Sequence, residues 1–179
     1  MRILGINCMN HDAAMAVVDY SSGIGEVLWA AHAERYSKVK NDHYLNQAIV
    51  NEAMTYGPFK KVVYYEKPLL KKTRQMYAGQ WSDAFSYTEM PQWHLDHFKI
   101  KIDEYVKHHD SHAAAGYFTS PFREATILTV DAIGEWDTVS ISTAEKIWIE
   151  RKETIKYPHS IGILYSAFTH RCGLKPAEE

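Results

Sequence analysis

Three imidazoles and a carboxylate fall within five consecutive positions, His108-His109-Asp110-Ser111-His112. If a helix begins here, His108 and His112 share one face at i and i+4, while His109 is turned away by about 100°. That spacing suits two ligands to one metal. Neutral imidazole binds zinc, iron, copper or nickel, and a carboxylate from another element would complete a two-His, one-carboxylate facial set with open positions for substrate. The plain alternative is a helix start whose histidines merely lie near the surface. Asp131 is the candidate third ligand. It follows the β-branched, apolar run Ala125-Thr126-Ile127-Leu128-Thr129-Val130, and the carboxyl ends of strands are where open α/β sheets keep functional side chains.

A second pair lies near the amino terminus, where His11 stands beside Asp12. An imidazole steadied by a carboxylate is a candidate general base for a substrate hydroxyl, because it titrates near neutral pH. The competing interpretation is an Asx-type turn in which Asp12 serves only the loop backbone. Cys8 reads as a small buried residue after a strand, in preference to a catalytic thiol.

The elements that must hold these residues follow from the apolar pattern. Residues 3–6, 14–18 and 26–31 form three short apolar runs separated by polar turns, which predicts an antiparallel meander. Leu45, Ala48, Ile49, Ala53 and Met54 recur at helical spacing, predicting a helix over 44–56 with Gly57-Pro58 as its stop. A strand follows at 61–65. The aromatic-rich stretch 68–99 reads as helices whose aromatics are mostly core or interface. A short strand ending at 105–106 delivers the chain to His108, and Ser120-Pro121 ends the helix that starts there. After the strand at 125–130, residues 132–136 form a turn, 138–142 and 147–152 an antiparallel pair, and a helix opens at Pro158-His159-Ser160 and stops at Gly173. The succession of elements is that of a mixed α/β protein.

Composition narrows the function classes. The 179 residues are 46% hydrophobic and 23% charged, enough for a sizeable core, and no segment has the uninterrupted apolar run of a membrane span. Twenty Lys plus Arg against 22 Asp plus Glu give a formal charge of -2, which argues against a general phosphate-backbone binder and leaves nucleic acid only as a shaped, specific ligand. Cys8 and Cys172 are far apart and in no metal-type spacing, so a disulfide framework is not expected. With no secretion signal at Met1-Arg2-Ile3-Leu4, the expected location is cytoplasmic.

Taken in order, the motifs resemble the amino-terminal part of the carbamoyltransferase family, the nodulation-factor and antibiotic O-carbamoyltransferases. The stretches that carry the resemblance are Gly5-Ile6-Asn7 with His11-Asp12-Ala13-Ala14, Glu34-Arg35-Tyr36-Ser37-Lys38, Tyr64-Tyr65-Glu66-Lys67-Pro68, His108-His109-Asp110-Ser111-His112, Leu128-Thr129-Val130-Asp131, Gly134-Glu135-Trp136 and Pro158-His159-Ser160-Ile161-Gly162. The resemblance implies a ribonuclease-H-like fold of the actin, sugar-kinase and Hsp70 superfamily, with a first lobe over 1–124 and the start of a second over 125–179. It implies that His108, His112 and Asp131 hold a divalent metal, iron first, which orients carbamoyl-adenylate made from ATP and carbamoyl phosphate. It also places His11 and Asp12 near the hydroxyl of a small-molecule acceptor.

Three positions depart from the family pattern. Ala132 stands where glycine is expected, Lys38 where arginine is usual, and Tyr44-Leu45 where Phe-Pro is usual. The sequence also stops at Glu179, where the family continues into the rest of its second lobe and the adenylate-forming domain. The expectation is therefore an incomplete enzyme whose remainder comes from further chain or a partner, with exposed edges that invite such a partner or a homodimer. Two other readings stand beside it: a tRNA threonylcarbamoyladenosine-type transferase, disfavoured by the lack of a basic stripe, and a metal- or nucleotide-binding interaction module without chemistry of its own.

Overall fold

The computed structural model describes residues 1–175. In chain order the elements begin with β1 (Arg2–Asn7), β2 (Ala14–Asp19), β3 (Glu26–His32), α1 (Glu34–Ser37), α2 (Gln47–Met54), β4 (Lys61–Tyr64) and α3 (Pro68–Tyr77). They continue with α4 (Trp81–Phe85), α5 (Pro91–Asp96), β5 (Glu104–Tyr105), α6 (His108–Phe118), β6 (Glu124–Gly134), β7 (Asp137–Glu145), β8 (Trp148–Lys156) and α7 (Ile161–Arg171). Compactness divides them into one unit of residues 1–68 and 79–106 and a second of 69–78 and 107–179. This grouping puts α6 with the second sheet, whereas the lobe division at 124/125 drawn from the sequence assigned it to the first. The last four residues of that second lobe lie outside the described residues.

The first unit is built on a five-stranded sheet of order β3-β2-β1-β4-β5. β1, β2 and β3 form the predicted antiparallel meander, and β4 and β5 then add parallel to β1. Parallel neighbours need crossovers, and α2 lies in the connection from the meander to β4. This order and these directions are those of a ribonuclease-H-like sheet. Alternation sets the core: Leu4 and Ile6 on β1 face Val17 and Met15 on β2, and all four are buried. Ile49, Val50 and Ala53 close over them from α2, each large side chain contributing about 1.5–3 kcal/mol of burial. That helix starts where its cap allows. The Asn46 side chain accepts from the amides of Ala48 and Ile49, so the helix begins at Gln47 and not at 44.

The aromatic stretch is helical but mostly not core. Trp81 and Phe85 are exposed, because α4 is only five residues long and buries just Ala84, and Tyr87 beyond it is exposed as well.

The second unit carries a three-stranded antiparallel sheet, β6-β7-β8, with α6 and α7 packed against it. Thr138, Ser140, Ser142 and Ala144 alternate along β7 as buried residues, and Thr129 lies opposite Ser140. Such a face of small side chains admits a helix closely. Two details differ from the sequence reading. Asp131 does not end its strand, since β6 continues to Gly134 through a register shift between Val130 and Gly134, and the tight turn is confined to Glu135 and Trp136. Ala132, where the family pattern has glycine, is not left-handed; Glu135 is, with φ 59°, so alanine at 132 meets no such strain. Cys8 is buried and Cys172 exposed, and neither forms a disulfide among the described residues. No helix of the described residues is long and apolar enough to cross a membrane.

Candidate metal centre

α6 presents its histidines from its first turn. Lys107, its N-cap, supplies no side-chain cap; the Glu135 carboxylate accepts from the His108 amide at 3.3 Å and places a negative charge at the positive end of the helix. Across one helical turn the rings of His108 and His112 lie 4.7 Å apart, and their Nε2 atoms 3.0 Å apart. Asp131 meets them from β6, with Oδ2 at 2.8 Å from His108 Nε2 and 3.8 Å from His112 Nε2. One ligand atom from each of the three residues lies within 4.8 Å of the others. His108 is buried and His112 half exposed, so the cluster has one closed side and one open side.

The carboxylate is held at both oxygens. Asp131 Oδ1 accepts from the Ala132 amide at 2.6 Å, leaving Oδ2 for the imidazoles. Burial alone would raise this carboxyl. The hydrogen bond and charge of His108, the Ala132 amide and the charge of His112 outweigh it and hold the group down at about 2. Asp131 therefore carries its charge at any physiological pH.

Two glycines make room for this arrangement. A Cβ on Gly134 would stand 2.5 Å from His108 Cδ2, and one on Gly162 would stand 2.5 Å from the Ala132 nitrogen. The first seats the His108 ring on the hairpin; the second lets α7 approach the irregular stretch of β6 that carries Asp131. Ser160, the N-cap of α7, joins the two elements. Its hydroxyl accepts from the Ile163 amide at 3.0 Å and donates to the Ala132 carbonyl at 2.6 Å.

His109 takes no part in the cluster. It is turned into the sheet, 1% exposed, with Nδ1 3.0 Å from Ser140 Oγ, and burial holds its imidazole below the ordinary value. In the first unit, His11 and Asp12 form a pair of their own, Nδ1 to Oδ2 2.7 Å, in the exposed loop after β1. The loop is pinned: Asn7 Nδ2 donates to the Asp12 carbonyl, and the amides of Met9 and Ala13 donate to the carbonyls of His43 and Asp42. Asp12 has φ 52°, so both the loop geometry of a turn and a steadied imidazole are present. Lys38 caps α1 in a left-handed conformation, and its ammonium is spent on the Arg35 carbonyl at 2.8 Å.

Gly134, Glu135, Ser160 and Gly162 were all visible in sequence motifs, but without a role. Nothing in spacing alone says that a glycine seats the ring of a residue 26 positions earlier in the sequence, or that a serine hydroxyl ties a helix to a strand.

Comparison with known proteins bears on the whole arrangement. Residues 65–179 match the family model described as Carbamoyltransferase N-terminus, a stretch that contains His108, His112 and Asp131 and begins after His11 and Asp12. The chain is 31% identical over 202 residues to protein sll1178 of Synechocystis sp., covering 97% of this chain and 32% of that protein. It is 35% identical over 85 residues to protein MJ1058 of Methanocaldococcus jannaschii, covering 39% and 14%. It thus spans about a third or less of these relatives. Among solved structures, an Aquifex aeolicus PPX-GPPA enzyme aligns over 94% of this chain and 56% of its own at 11% identity and TM-score 0.47. A further structure of the Aquifex Ppx/GppA family aligns over 94% and 54% at 13% identity and TM-score 0.40. Likenesses this distant add nothing to the strand order described above. The match over 65–179 is of another kind, and by it this chain belongs to the carbamoyltransferase family, within its amino-terminal region.

Proposed function

We propose that the chain is the acceptor- and metal-binding part of an O-carbamoyltransferase that moves a carbamoyl group from carbamoyl-adenylate to a hydroxyl of a small molecule. The observation that carries this reading is the convergence of His108 Nε2, His112 Nε2 and Asp131 Oδ2 inside the stretch that matches the family. The donor set fits a divalent cation. Atoms bound to one ion at about 2.0–2.2 Å stand roughly 3–3.5 Å apart; here the separations are 2.8, 3.0 and 3.8 Å. Two imidazoles and a carboxylate suit iron, zinc or manganese, and the family resemblance favours iron. Bound there, the ion supplies Lewis-acid polarisation of the carbamoyl carbonyl.

The remaining chemistry belongs to side chains of the chain. The acceptor oxygen forms a bond to the carbamoyl carbon as the bond from that carbon to the adenylate phosphate oxygen breaks, and AMP leaves. The hydroxyl proton goes to His11 Nε2, since Nδ1 is engaged by Asp12. Asp12 fixes the ring and favours its protonated form after transfer. ATP and carbamoyl phosphate supply the adenylate through the family's carboxyl-terminal region, in the same chain or a partner, and the setting is cytoplasmic.

Anaerobic titration of Fe(II) into the purified chain tests the metal, with carbamoyl transfer measured in a complete family enzyme carrying this amino-terminal part. About one ion per chain is expected, lost together with transfer in His108→Ala and Asp131→Ala. Wild-type protein that takes up no divalent ion would overturn the reading.

A further inference from the structure

We infer that Arg151 is a positioning residue for the metal centre: its guanidinium bridges Asp110, in the ligand-bearing turn of α6, to Asp137 on β7, and so fixes the helix that carries His108 and His112 against the sheet that carries Asp131. The inference rests on reading the centre as a metal site.

Arg151 reaches inward from β8, where it lies opposite Ser142 of β7. Nη1 donates to Asp137 Oδ2 and Nη2 to Asp110 Oδ1. Each carboxylate thus takes a separate nitrogen of one planar fork, which the single ammonium of a lysine could not reproduce. The side chains of Arg151 and Asp137 are only 19% and 13% exposed, so the pair is shielded from competing water, while Asp110 is 52% exposed.

The bridge joins the two halves of the centre. Asp110 follows His108 and precedes His112 by two residues each, within the turn that aims both imidazoles. Asp137 is the register partner of Gly134, on which the His108 ring sits, and the same hairpin supplies Glu135 to the His108 amide. Lys107 gives no side-chain cap, and the start of α6 is met by two charged groups, Glu135 at the His108 amide and Arg151 at Asp110. Groups that orient metal ligands from behind typically change metal affinity by about 10–100-fold when removed.

The test is Co(II) titration of the whole chain, following both affinity and the d–d absorption bands, with far-UV circular dichroism and thermal unfolding alongside. Arg151→Met is expected to weaken Co(II) binding by about 10–100-fold and to shift the bands. Arg151→Lys keeps the charge but not the fork and should stay at least about tenfold weak. Asp110→Asn, at a half-exposed position, should retain the fold and still lose several-fold in affinity with altered bands. If Arg151→Met does not fold, Arg151→Lys and Asp110→Asn decide the matter. Wild-type affinity and spectrum in both of those would overturn the role of Arg151 alone. A wild-type chain that takes up no Co(II) would overturn the metal reading and this inference with it.

Discussion

His108 Nε2 stands 2.8 Å from Asp131 Oδ2, one residue opening α6 and the other lying in the irregular stretch of β6. Neither position means much alone. Together they pair a nearly buried imidazole with a carboxylate that its surroundings keep ionised down to about pH 2. The folded group lies below its ordinary value, so its contribution to stability is complete above about pH 4 and is lost as pH falls toward about 2.

Metal binding by the proposed histidine ligands is the more pH-sensitive property, because a bound imidazole must be neutral. Affinity for Co(II) or Fe(II) is expected to fall as pH drops through the histidine range, approaching a tenfold loss per pH unit for each proton that the metal must displace. Isothermal titration between pH 8 and pH 5 measures this. A flat profile would mean that the histidines are not ligands.

The three histidines should separate cleanly in mutants. His108→Ala and His112→Ala are expected to lose most metal affinity with little loss of stability at the half-exposed His112. His109→Ala should do the reverse, because it leaves Ser140 without its buried partner and opens a hole beneath α6, at a cost of about 2 kcal/mol or more. Metal titration beside urea unfolding distinguishes these outcomes, and equal metal binding in all three variants would remove the cluster from consideration.

Gly134→Ala puts a methyl group where His108 Cδ2 already lies within 2.5 Å, so the ring must leave its seat. The expected result is a folded protein destabilised by about 1–3 kcal/mol, with metal binding weakened more than its stability would suggest. Gly162→Ala should be the more damaging of the two, because the atoms it meets at 2.5–2.7 Å are backbone of Asp131 and Ala132 that cannot swing aside. Thermal unfolding and Co(II) titration of both variants check this order.

Much of this arrangement could be read from the sequence, and the reasons are local. The i, i+4 histidines of α6 and the alternating apolar residues of β1 and β2 express backbone periodicities of 3.6 and 2 that any sequence shows directly. The strand that carries Asp131 was equally plain from its β-branched run, but its extension to Gly134 was not, because a shift of register depends on the partner strand. Trp81, Phe85 and Tyr87, read as core or interface, are not core for a similar reason: aromatic character says that a side chain can be buried, not that a neighbour is there to cover it. The bridge made by Arg151 left no pattern at all, since its partners lie 41 and 14 residues away.

His11 carries the last prediction. Its ring is exposed, and the 2.7 Å contact from Nδ1 to Asp12 Oδ2 leaves Nε2 as the nitrogen able to accept a proton. The loop that holds it is tied down by Asn7 and by the backbone at Asp42 and His43, so the ring is offered from a fixed support while its own contacts with the fold are few. Replacing it should therefore cost little stability. In a complete family enzyme, His11→Ala is expected to lower the rate of carbamoyl transfer by about 10²–10⁴, the usual worth of a general base, with the metal content unchanged. Asp12→Asn should give a smaller loss, because the imidazolium formed on proton transfer would no longer face a carboxylate. Full activity in His11→Ala would leave the pair as a turn device and no more.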